Sequence, residues 1–276
     1  MTTVNTVERS AYREPHAAPR RLLLPKEHGA YAQLVFPLIT ALAIGRPNAA
    51  QLFWLTAAIS VFLAHEPLLI LAGERGRRSH ARLATRARWM AVFLLVPAIA
   101  AGLLGWWFAP PAARLALIAP LALAAILVPL ILSHREKTLY GELLASFTFS
   151  TLAIPVALAG GAGAGAALIA SGVWCSVFSL STLTVRAAIA RVKKVDGRGQ
   201  SCYANLLTSI AVALTAIFLA ASGIIPVLTA AALIPVAVIA SAFSLFAVHT
   251  RHLRAMGWSL VATSGITLIA LVAGLR

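Results

Sequence analysis

The chain has 276 residues, 60% of them hydrophobic and only 11% charged, with a formal charge of +15. A soluble domain averages about 45–50% apolar and about 25% charged residues, so the composition excludes a water-soluble enzyme or a disordered basic protein and leaves a polytopic membrane protein. In a soluble chain this excess of positive charge would point to nucleic acid; in a membrane chain it marks arginine-rich loops on one side, and no nucleic-acid partner is implied.

The first 22 residues carry Glu8, Arg9, Arg13, Glu14, His16, Arg20 and Arg21 without an apolar run. That pattern lacks the apolar core of a secretory signal and is expected to form a disordered cytoplasmic tail over residues 1–22. A single transmembrane helical domain is expected over 23–276. About 20 mostly apolar residues are needed to cross the hydrocarbon core. By that ruler nine spans follow in order: residues 29–44, 51–72, 89–108, 112–132, 142–159, 166–185, 204–221, 224–248 and 256–274. Pro37, Pro67, Pro97, Pro155 and Pro235 fall inside these runs and are expected to be tolerated there, since neighbouring helices satisfy freed backbone groups. Cys175 and Cys202 lack metal or disulfide spacing and read as inert helix residues.

Of the 23 lysines and arginines, only Arg46, Arg114 and Arg276 fall on one side of such a bundle. The rest occupy the tail and the loops after the second, fourth, sixth and eighth spans, which sets the N-terminus in the cytoplasm. All eight acids and all seven histidines lie on that same side or in helix ends opening onto it, so the chemistry is expected to face the cytoplasm.

Ionisable groups inside a membrane are costly and mark functional sites by default. His65, Glu66 and Pro67 in the second span combine an imidazole, a carboxylate and a proline that frees a backbone carbonyl. They suit a proton relay or a hard cation, or Glu66 bridges an arginine of the next loop. Glu27 and His28, between Pro25 and Gly29, sit at headgroup level as ligand contacts or as a snorkelling anchor. His134, Arg135, Glu136 and Lys137 join the fourth and fifth spans, and Glu142 begins a helix with Ser146, Thr148, Ser150 and Thr151 on its polar face. The sixth span ends in a hydroxyl-rich stretch leading to Arg186, Arg191, Lys193, Lys194, Asp196 and Arg198, cations suited to a phosphate or diphosphate or to anionic lipid. His249 and His252 share a helix face, too few for a metal centre.

Nine spans with long polar loops after the second and sixth resemble the UbiA superfamily of intramembrane prenyltransferases. The segments Gly141 to Pro155 and Gly197 to Gln200 are similar to that family's fifth helix and its glycine-basic turn. More specifically, Leu24-Pro25-Lys26-Glu27-His28-Gly29-Ala30-Tyr31 together with His65-Glu66-Pro67 resembles the bacterial YwiC-like membrane-protein family. The UbiA resemblance implies an apolar tunnel and two aspartate-rich motifs holding magnesium and a prenyl diphosphate. The sequence departs from it. Where the first motif would stand are His65, Glu66 and Glu74, two carboxylates about 80° apart on an ideal helix. Where the second would stand are Arg186, Ile189 and Lys193.

The expectation is therefore an all-α bundle of about nine transmembrane helices in a UbiA-like arrangement, with a cytoplasm-facing polar pocket. Glu66, Glu142 and His65 would act on the ligand. Glu27, His28, Arg135, Arg186, Lys193 and Lys194 would bind the anionic headgroup of an isoprenoid or lipid, and Glu66 with Glu74 would hold any magnesium. The rival readings are a small-solute transporter and a non-enzymatic assembly partner.

Overall fold

The computed structural model describes residues 23–24, 28–193, 198–246 and 253–276, and every element among them is helical. The helices in chain order are α1 (His28–Ile44), α2 (Ala49–Leu71), α3 (Arg77–Phe108), α4 (Pro111–Ala116), α5 (Ile118–Leu132) and α6 (Leu139–Thr151). They continue with α7 (Ala153–Ala159), α8 (Ala164–Val192), α9 (Arg198–Ala221), α10 (Val227–Ala231), α11 (Ile234–Leu245) and α12 (Leu253–Leu275). Eight stretches are long and apolar enough to cross a membrane, with α4–α5, α6–α7 and α10–α11 each counting as one. The ninth, α1, is equally apolar but has 17 residues, about 25 Å of helix.

Prolines explain the three broken spans. Pro120, Pro155 and Pro235 lack the N–H that would bond the carbonyl four residues back, and their rings crowd it. Those carbonyls belong to Ala116, Thr151 and Ala231, the last residues of α4, α6 and α10. Pro155 and Pro235, expected to be tolerated within their spans, each accompany a break one turn upstream in a stretch still long enough to cross a membrane. Pro37, Pro67, Pro97 and Pro129 stay within unbroken helices, so α2 runs through Pro67 to Leu71.

Two apolar clusters make the core. One gathers α1, α2, α4 and α7 around Leu34, Leu38, Trp54, Phe62 and Val156. The other joins α8 to α12 around Trp174, Leu180, Val236, Leu260 and Leu271. They meet where Trp174 of α8 stacks on Phe36 of α1 and donates its indole N–H to Thr40 Oγ1 at 2.9 Å, giving a buried tryptophan the partner it needs. In the second cluster Asn205 of α9 donates to Ser244 Oγ at 2.8 Å and Ala240 O at 3.2 Å, and pairs with Thr184 of α8. A polar side chain deep in a lipid-embedded bundle is costly unless bonded in this way, and here it ties three helices together.

Hydrogen bonds fix which helix ends share a side. Arg46 N–H donates to Gly160 O at 2.8 Å, and Arg276 Nε to Ala43 O at 2.6 Å, so the ends of α1, α7 and α12 lie together. On the other side Arg191 of α8 donates to Phe246 O at 2.9 Å and Ser244 O at 2.5 Å, closing the end of α11. A guanidinium there satisfies orphan carbonyls and meets the negative pole of the helix. Arg191→Ala is expected to lower stability by about 1–2 kcal/mol. Thermal unfolding in detergent checks this, with Arg191→Lys recovering only part of the loss because it lacks the fork of donors.

The helix α3 overruns its apolar span. Hydropathy begins it at Trp89, but the helix starts at Arg77 and has 32 residues, about 48 Å. The added turns contain Ala81, Leu83, Ala84 and Ala87, good helix formers that a hydropathy window passes over among arginines. Ala87, Ala91, Ala98, Ala101 and Gly105 form its buried face, a small-residue seam that lets α2 approach closely. At Gly105 an added methyl group would run into the Trp54 ring.

Candidate functional site

The turn between α5 and α6 is built tightly. Arg135 N–H donates to Leu130 O at 2.8 Å and His134 N–H to Ile131 O at 3.0 Å, closing α5. His134 takes the left-handed backbone conformation at φ 56°. Thr138 then caps α6, accepting from Gly141 N–H at 3.2 Å and donating its hydroxyl to Arg135 O at 2.7 Å. Gly141 lies directly against this turn: a Cβ there would be 2.5 Å from Glu136 O and 2.6 Å from Arg135 O.

Charged groups from three directions converge on the turn. Glu74, in the α2–α3 loop, meets His134 Nδ1 at 2.6 Å. His65 of α2 faces Glu136 at 4.0 Å, an approach longer than a hydrogen bond. Arg186 of α8 donates Nε to Glu142 Oε2 at 2.7 Å and Nη2 to Lys137 O at 2.5 Å. Beside them Glu66, buried in α2, accepts both Nε and Nη2 of Arg75, at 3.0 and 2.5 Å. Between the two hairpin turns is a cleft of about 200 Å³. Leu69 and Ile131 contribute its apolar surface, and Glu74, Arg75, His134, Glu136 and Lys137 its polar one.

Several expected residues therefore meet. Glu142 and Arg186, chosen from different loops, are direct partners, and His65 and Glu74 reach the same turn. Glu66 is held by an arginine of the following loop, the structural alternative for that residue, and does not line the cleft. Arg135 and Lys193 are exposed, and neither lines the cleft, nor do Glu142 and Arg186. Glu27, Lys194, Asp196, His249 and His252 lie outside the described residues, as does the side chain of His28. The cleft residues that the sequence did not single out as ligands are Arg75, His134, Glu136 and Lys137. The signal was the dense run of charges from His134 to Lys137 in so short a turn.

The hydroxyls of α6 and α8 have a more local role than a wall for phosphate. Ser146, Thr148, Thr151, Ser176, Ser181 and Thr184 each bond a carbonyl one turn back on their own helix, at 2.7 to 2.9 Å. Nor do Glu66 and Glu74 fit a shared magnesium ion as arranged. Both oxygens of Glu66 are engaged by Arg75, and Glu74 is engaged by His134. Among the described residues, no three histidine, cysteine or acidic side chains gather as a metal would require.

No curated protein and no solved structure matches the chain. The model of the YwiC-like protein family matches residues 24–158, a stretch that closes one residue before the end of α7. Every residue lining the cleft falls inside it, whereas Arg186 and Lys193 fall outside. Over residues 24–158, just under half of its length, this helical, multi-pass membrane chain is similar to the YwiC-like family.

Proposed function

We propose that the protein is a bacterial inner-membrane protein with a cytoplasmic N-terminus that binds an isoprenoid or other lipid by its anionic headgroup in this cleft. The observation that carries the reading is the cleft's composition: Arg75, His134 and Lys137 together with Leu69 and Ile131. The basic residues suit a phosphate or diphosphate, and the apolar residues suit the start of a hydrocarbon tail. Glu74 and Glu136 suit hydroxyl donors or a cation accompanying the headgroup. The volume matches a headgroup rather than a whole prenyl chain. The tail has a route outward, because α2 and α5, which supply Leu69 and Ile131, make little contact with one another. Orientation rests on the charge bias, since the arginine-rich turns after α2, α5 and α8 share one side.

The UbiA-like arrangement and group transfer belong to the same reading. If transfer occurs, charge growing on a leaving diphosphate would be met by Arg75, Lys137 and the neighbouring Arg186. The test is retention of lipid by purified protein, read by mass spectrometry, together with binding of labelled prenyl diphosphates with and without magnesium. A Lys137→Ala variant is expected to lose roughly ten-fold or more in headgroup retention, the usual loss for a charge-assisted contact. Equal retention by wild type and variant, with no prenyl diphosphate bound, would defeat the proposal.

A further inference from the structure

The overrunning segment of α3 presents charges that the described residues do not neutralise. Arg77, Arg78, Arg82, Arg86 and Arg88 occupy its first twelve residues, and all five are exposed. None of them has an ion pair or hydrogen bond among the described residues. Three of the four acidic side chains there are engaged, Glu66 by Arg75, Glu74 by His134 and Glu142 by Arg186, and the fourth, Glu136, faces His65 at 4.0 Å. Local physics disfavours this placement. Arginines crowd the positive end of the helix dipole, no acid lies in the first turn, and the N-cap Gly76 makes no side-chain cap. Arg78, Arg82 and Arg86 also repel one another at four-residue spacing. Nothing among the described residues offsets these costs, which leaves a partner outside them.

The position of the row says what that is. Arg78, Arg82 and Arg86 continue at helical spacing into Trp89, Phe93, Val96, Leu103 and Trp107. This face lies opposite the seam of Ala87, Ala91, Ala98, Ala101 and Gly105 that packs on α2. Trp89, Phe93 and Trp107 are 71%, 77% and 76% exposed, which in a membrane protein means contact with lipid. Trp89 and Trp107 are about 27 Å apart along the axis, close to the roughly 30 Å of a hydrocarbon core with tryptophans at its two edges. The three arginines therefore stand just beyond one edge, on the face that meets lipid rather than protein.

We propose that residues 77–88 form a docking strip for the anionic headgroups of the surrounding leaflet, and that the first three turns of α3 are stabilised by them. The strip is separate from the cleft, and the lipids it holds are those of the bilayer surface. Basic residues at such a boundary each favour an anionic surface by roughly five-fold.

The experiment is hydrogen exchange on the full chain in nanodiscs of phosphatidylcholine alone or with phosphatidylglycerol. Amides of residues 80–88 are expected to gain on the order of a hundred-fold in protection when phosphatidylglycerol is present. The gain should be lost in R78Q/R82Q/R86Q and weakened by salt. Amides of residues 92–106 report that the variant retains the folded span. Equal protection in both lipids, or an undiminished gain in the triple variant, would overturn the proposal. So would a gain of the same size from inorganic phosphate in phosphatidylcholine discs, which would make the strip a small-anion site. Because lipid retention in the Lys137→Ala variant reads the cleft and this exchange reads α3, each proposal can fail without the other.

Discussion

Gly141→Ala is expected to be among the most damaging single-methyl changes in the chain, costing about 3 kcal/mol or more. The new Cβ would meet the carbonyl oxygens of Glu136 and Arg135 at 2.5 and 2.6 Å. Both are backbone atoms in a turn pinned to α5 by two hydrogen bonds and to α6 by the Thr138 cap, so no side chain can rotate away. Either α6 moves outward or the turn opens. In both cases Lys137 O leaves Arg186, His134 leaves Glu74, and the cleft loses one wall. Thermal unfolding in detergent measures the cost, and exchange at residues 134–138 locates it. A variant as stable as wild type, with the turn still protected, would show that the contact relaxes without consequence.

The second large effect concerns Glu66 and Arg75. Removing only the guanidinium, in Arg75→Met, strands a carboxylate whose side chain is 11% exposed. A fully buried pair broken in this way loses about 3–5 kcal/mol. The Arg75 side chain is 37% exposed, so water shares the work and about 2 kcal/mol is expected. The double variant Glu66→Leu/Arg75→Met should recover much of that loss, since neither an unpaired charge nor an unmet donor remains. A double-mutant cycle on unfolding free energies decides it. If Arg75→Met is neutral while Glu66→Leu alone is severe, the carboxylate has another partner and the pair is incidental.

Much of this architecture could be read from hydropathy, because a lipid-facing helix must be apolar over most of its length. The helical spans came from that constraint, and the choice of Glu142 and Arg186, which pair at 2.7 Å, came from the rarity of ionisable groups near a membrane. Three kinds of feature escaped it. The breaks at Ala116, Thr151 and Ala231 follow from Pro120, Pro155 and Pro235, but Pro37, Pro67, Pro97 and Pro129 have the same chemistry and break nothing. Which proline ends a helix depends on packing that no local pattern contains. The first turns of α3 escaped because a hydropathy window stops at arginines, whereas a helix does not. The partner of Glu66 escaped because the arginines after α2 are alike in sequence, and only the turn at Gly73 and Gly76, both at positive φ, directs Arg75 back towards it.

The arginines on the sparsely charged side have a further consequence. Arg114 donates to Ala109 O and Trp107 O at the end of α3, and Arg276 donates to Ala43 O at the end of α1. Each guanidinium thus sits on a helix pole that carries roughly half a negative charge, which cancels part of its outward field. A tally of residues credits that rim with three positive charges, yet the potential felt by an approaching ion is weaker than three charges would produce. The weak field of that rim is thus a matter of where its guanidiniums sit as well as of how few they are.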